Sequence, residues 1–148
     1  MKKIIAAALF SVSLISAGAH ATGTTGPTKI PIANGYTKVG DVAEEINLAR
    51  QFAFTALPGR AGFIKNDFEG TLSANVVAGL IDDAANNRMG VVAGSNKGYV
   101  VFTGSSVGGS VSQCGKPAVK GTDENLAAKF VVVGTTDLTK ANGCNRAF

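Results

Sequence analysis

Apolar and polar positions alternate with changing period along this chain, and the changes mark its elements. Ile4 to Ile15 is an apolar run broken only by Ser11 and Ser13. From Val42 the apolar residues recur at helical spacing, as Val42, Ile46, Ala49, Ala53 and Leu57. Leu48 and Phe52 widen that stripe, while Glu44, Asn47 and Gln51 lie mostly off it. Asp41 suits the N-cap, with Glu44 three residues on as a capping box requires, and Pro58-Gly59 is the stop. The pattern predicts a helix over 41–57 whose stripe packs into a core.

A second helix is predicted over about 73–86. Ser73 is its N-cap, and Val76, Val77, Leu80, Ile81 and Ala84 form one face. Gly79 inside it costs about 1 kcal/mol relative to alanine. After Arg88 the pattern turns extended. Met89 to Ala93 and Tyr99 to Thr103 flank the turn Gly94-Ser95-Asn96-Lys97-Gly98 and predict a hairpin. A third strand is expected over 110–114, and a short helical turn beginning at Thr122. The run Lys129-Phe130-Val131-Val132-Val133-Gly134 gives the clearest strand in the sequence. The expected fold is α+β: an N-terminal helix packed on a small antiparallel sheet, with a C-terminal disulfide-bounded loop.

The N-terminal run sets the compartment. Lys2 and Lys3 precede the apolar stretch, and Ala19-His20-Ala21 gives the small-x-small cleavage pattern. Residues 1–21 are therefore expected to be a bacterial signal peptide. The apolar run is shorter than the ~20 residues that span a bilayer, so no membrane span is expected after cleavage. Residues 22–38, with Pro27, Pro31 and Asn34-Gly35, read as an extended arm or linker. Residues 39–148 are expected to form a single domain.

Cleavage changes the composition. Removing 21 of 148 residues leaves 127, and losing two lysines lowers the net charge from +4 to +2. With no basic cluster interleaved with aromatics, no nucleic acid is expected as partner. The only histidine, His20, leaves with the signal. That excludes Ser-His-Asp and Cys-His nucleophile systems and histidine-containing zinc sites from the remainder. No metal-ligand spacing is present, and no cofactor is expected.

Cys114 and Cys144 are the only cysteines. In an exported chain they are expected to pair, the alternative being two buried free thiols. A ring of about 30 residues corresponds to roughly 3.5–4 kcal/mol on loop-closure arithmetic.

The other candidate chemistry is thin. Glu44-Glu45, Asp82-Asp83 and Asp67 with Glu69 are the acidic groupings, and adjacent carboxylates on exposed helix faces do not form the spaced pair of a glycosidase. Gly104-Ser105-Ser106-Val107-Gly108-Gly109 fails the G-x-G-x-x-G pattern and reads as a turn. Ser105 or Ser106 as nucleophile would need a lysine base that the sequence does not identify.

The order of these elements, closing with Cys114, Cys144 and Lys140-Ala141-Asn142-Gly143-Cys144-Asn145-Arg146, resembles the globular part of a type IV pilin. The resemblance implies that helix 41–57 matches part of the pilin spine. It also implies that the disulfide-bounded segment carries subunit contacts and adhesion. Pilins open with a basic leader and a long apolar helix, and this chain has a conventional signal in their place. A soluble pilin-like or pilus-associated protein is therefore what it implies.

The functional expectation is an exported protein of surface or filament type, located in the periplasm, at the cell surface or fimbrium, or released. It would contact a protein partner or a host or surface receptor, with self-assembly as a further option. The binding residues would be Lys116, Lys120, Lys140 and Arg146 on the disulfide loop. The alternative is a small secreted or periplasmic enzyme or enzyme inhibitor without histidine-dependent chemistry. For that reading Arg60 and Asp67 would line a groove beside helix 41–57, or loop 104–110 would protrude as the inhibitory segment.

Overall fold

The structure, a computed structural model, describes residues 26–148. The expected signal segment 1–21 lies outside the described residues. Among the described residues, eight strands form two sheets: β1 (Thr28–Pro31), β2 (Gly35–Val39), β3 (Arg50–Thr55), β4 (Phe68–Leu72), β5 (Val76–Asp83), β6 (Arg88–Ser95), β7 (Val101–Ser105) and β8 (Ser112–Gln113). The small sheet has the order β1-β3-β4, with β1 parallel and β4 antiparallel to β3. The large sheet has the order β2-β5-β6-β7-β8 and is antiparallel throughout.

The expected α+β class is thus corrected to a mostly β fold. The only helical pieces among the described residues are short 3-10 turns at Pro58–Arg60, Leu126–Phe130 and Ala141–Gly143. Helix 41–57 is replaced by a looped segment and then β3. Asp41 caps a turn, its Oδ1 accepting the Ala43 N–H at 3.1 Å, but the turn does not propagate. Glu45 sits at φ 35°, and Leu48, which a helical core stripe would bury, is 58% exposed. Arg50 holds the loop by donating to the carbonyls of Asp41 and Glu44 and to Val76 O on β5. From Arg50 the period is two: Phe52 and Phe54 are buried, while Gln51 and Thr55 are exposed.

Helix 73–86 is likewise replaced, by β5. Its β-branched residues suit the pleat, and its two faces go to different cores. Val77 joins Val92, Val101, Cys114, Ala128, Val131 and Cys144 on one side of the large sheet. Leu80 joins Ile32, Val39, Phe52 and Phe54 on the other, under the small sheet. Gly79 is required where it stands, because a Cβ there would lie 2.4 Å from the Tyr36 ring.

The predicted hairpin is present as β6 and β7, with Gly94 opposite Val101, and β8 extends the sheet beside Phe102 and Thr103. The strand expected over 129–134 does not form. The chain there leaves the Leu126–Phe130 turn, buries Val131 and exposes Val132 and Val133. Within the segment expected as an arm, Thr28–Pro31 and Gly35–Val39 are strands, one in each sheet.

Thr103 on β7 is fully buried, and its hydroxyl has no hydrogen-bond partner among the described residues. A buried hydroxyl without a partner is destabilising relative to a methyl of similar shape. Thr103→Val should therefore raise the unfolding free energy by about 1 kcal/mol, read as a higher urea midpoint at unchanged slope. A lower midpoint would show that the hydroxyl is satisfied.

Candidate functional site

Beyond β8, residues 116–148 cover one face of the large sheet without adding a strand to it, and the sequence permits this through glycines on β6. A Cβ at Gly94 would lie 2.7 Å from Ala127 O, and one at Gly90 would lie 2.5 Å from a Leu138 methyl. The layer can approach the sheet this closely only because both positions are bare. Tyr36, from β2, reaches the same layer and donates its hydroxyl to Val131 O at 3.1 Å.

The layer is closed by the Cys114–Cys144 disulfide, with Cα atoms 5.2 Å apart. Both half-cystines are buried. Arg146 fastens the same point from outside. Its guanidinium donates to Cys114 O and Lys116 O, each at 2.9 Å, and lies 3.7 Å from the centroid of the Phe130 ring. Partial burial lowers its pKa from the usual arginine value, and Asp123 opposes that shift.

The four residues expected to bind therefore divide. Arg146 is engaged in holding the layer together. Lys140 pairs with Asp137 at 3.4 Å and donates to Asn145 at 2.7 Å. Lys116 and Lys120 are exposed, and neither forms an ion pair among the described residues. Val119, between them in sequence, is 58% exposed. The segment carrying these three is fixed at both ends: Lys116 N–H donates to Ala147 O, and Asp123 accepts the Val119 N–H at 2.7 Å. That N–H first, and then Lys129, hold the Asp123 carboxyl below its ordinary pKa. The arrangement presents two unpaired ammonium groups and an apolar side chain on a tethered loop, which suits contact with an acidic surface bearing an apolar patch.

The residues of the enzyme alternative are not brought together. With no helix over 41–57, the groove beside it does not form. Arg60 turns back on its own loop, donating to Asn66 Oδ1 at 2.7 Å and to the Lys65 carbonyl. Asp67 accepts the Ala56 N–H at 2.9 Å. Ser105 and Ser106 accept the N–H groups of Val107 and Met89 and so shape a turn. They border an open, mainly apolar cleft of about 210 Å³ between Met89, Val91 and Val111. Glu44 and Glu45 are exposed on the loop before β3. Among the described residues, no three His, Cys, Asp or Glu side chains gather as a metal site would require.

Asp82 and Asp83, expected on one polar helix face, point to opposite sides of β5. Asp83 caps the following turn by accepting the N–H groups of Ala85 and Asn86. Asp82 is fully buried, and its oxygens accept the Phe63 N–H at 2.6 Å and the Ile64 N–H at 3.2 Å. Sequence reasoning missed this buried carboxylate. The alternation of a strand over 76–83 was the only signal that could have revealed it.

No family model, curated protein or solved structure matches the chain. No helix among the described residues is long and apolar enough to cross a membrane.

Proposed function

We propose that this is an exported bacterial protein of surface or filament-associated type, acting by protein–protein or adhesive contact through its disulfide-closed C-terminal layer. The observation that carries the reading is the tethered segment 116–123. Lys116 and Lys120 stand exposed, without ion partners among the described residues, on a loop fixed by a disulfide, an arginine clamp and backbone hydrogen bonds. Recognition is commonly placed on loops that a rigid scaffold positions. Pre-ordering such a loop also reduces the entropy lost on binding. The signal-like N-terminus and the disulfide are consistent with an oxidising compartment. The likeness to type IV pilins now rests on the cystine end, because its matching helix is absent from the fold.

The contact is electrostatic at its rim, so it should weaken with salt. Lys116→Glu/Lys120→Glu should reduce retention of the chain on the exporting cell several-fold and flatten the salt dependence. Fractionation of cells and medium after washes of increasing ionic strength measures both. Lys140→Glu, whose native lysine is already paired with Asp137, should have the smaller effect. Unchanged retention of the double variant would remove the assignment.

A further inference from the structure

β1 is attached differently from the other strands. It pairs in parallel, through four register positions from Thr28↔Phe52 to Pro31↔Thr55. Among the described residues, β3 is the one element against which it is extensively packed, and no strand pairs with its other edge. Parallel pairing is slightly weaker per residue than antiparallel, and Pro31 has no N–H to add to a ladder. Of the four residues, only Ile30 is partly buried. Ile32, just beyond, is buried and continues the contact, its N–H donating to Thr55 O at 2.9 Å. The unit that packs on β3 is therefore 28–32.

This unit is joined to β2, in the opposite sheet, by Ala33 and Asn34 alone. Asn34 is held on β5, bridging Asp82 and accepting the Ala84 N–H at 3.0 Å, so the hinge is Ala33, which is exposed and donates its N–H to Thr37 Oγ1 at 2.9 Å. Swinging about Ala33 would carry 28–32 away from its own β3 while Asn34 and β2 stay paired with β5. The edge of β3 so uncovered, with Phe52 and Phe54 facing inward, would accept the same segment of another copy, which carries Ile30 and Ile32 at the same spacing.

We infer that segment 28–32 exchanges between two copies of this chain, β1 of each pairing with β3 of the other in the same parallel register. The result is a closed, two-fold symmetric pair. The strand contacts are the same within a chain and between chains, so link geometry and protein concentration set the balance. A short link between exchanged and fixed parts favours the exchanged form. The inference involves the small sheet and does not depend on the basic segment proposed above.

Lys29 and Ala53 are register partners in this ladder. In Lys29→Cys/Ala53→Cys, with the native Cys114–Cys144 bond intact, oxidation at rising protein concentration should give 29–53 bonds. Peptide mapping assigns them within or between chains. The expected result is a covalent dimer whose share grows with concentration. Bonds formed within single chains at every concentration would overturn the inference. The unaltered chain supplies a second measurement by light scattering. Inserting three glycines after Ala33 should weaken dimerisation at least about tenfold. An unaltered chain that stays monomeric throughout, or a dimer indifferent to the insertion, would also overturn it.

Discussion

Cys114→Ser and Cys144→Ser should each lower the unfolding free energy by about 2–5 kcal/mol, and the double variant should cost little more than either alone. Either substitution removes the whole crosslink, so the second has nothing left to delete. The fold gives this bond more to hold than a frayed loop. Both sulfurs lie in the cluster that contains Val92, Val101 and Val131, and the covering layer makes no strand pairing with the sheet beneath it. Losing the crosslink should therefore loosen the layer first and leave β5 and β6 paired. Urea titration of the three variants measures the energies. Singles whose losses sum in the double variant would show that the cysteines act separately. Thiol titration of the denatured, unreduced protein should find no free thiol.

Asp82→Ala should destabilise the protein by about 2–4 kcal/mol, because it strips two partly buried N–H groups of their acceptor and leaves a cavity. The carboxylate is the point at which the 61–64 loop is fastened to β5, and no cation pairs with it among the described residues. Gly62→Ala attacks the same junction from the other side, since its Cβ would lie 2.2 Å from Asp82 Oδ2. The carboxylate is pinned by both hydrogen bonds, so it cannot swing clear. Asp82→Asn keeps the shape but offers one acceptor oxygen in place of two, and should fall between the unaltered protein and Asp82→Ala. Chemical denaturation of the three variants gives the order. Wild-type stability in Asp82→Ala would show that the loop is held by other contacts.

The β-hairpin and the cystine were legible in the sequence because local chemistry settles both: β-formers flank a Gly/Asn turn, and two lone cysteines follow a signal-like N-terminus. The helices were not, because short apolar runs satisfy two periods at once. Val76, Val77, Leu80 and Ile81 fit a helical face, and they equally fit a strand buried on both sides. The β-branched content and Gly79 favoured the strand. In 41–57 the alternation of Phe52 and Phe54 was hidden among alanines and leucines at helical spacing. Val131 to Val133 failed in the other direction. Their β-propensity is high, but the segment crosses over β6 at Gly94 and spends its one buried position on Val131. At the candidate site, the sequence identified the basic residues. It could not show that Arg146 is occupied by carbonyls brought from elsewhere in the fold, or that Lys140 turns to Asp137 and Asn145 beside it.

The large sheet has a consequence for how this protein can change over time. Alternation along β5 sends Val77 to one core and Leu80 to the other, so the two clusters share a backbone and no side chain. Substitutions separated by such a wall tend to act independently. A lineage can therefore redraw the cystine-bearing surface while the small sheet keeps its packing. It can equally retune the small sheet without altering what the other surface displays.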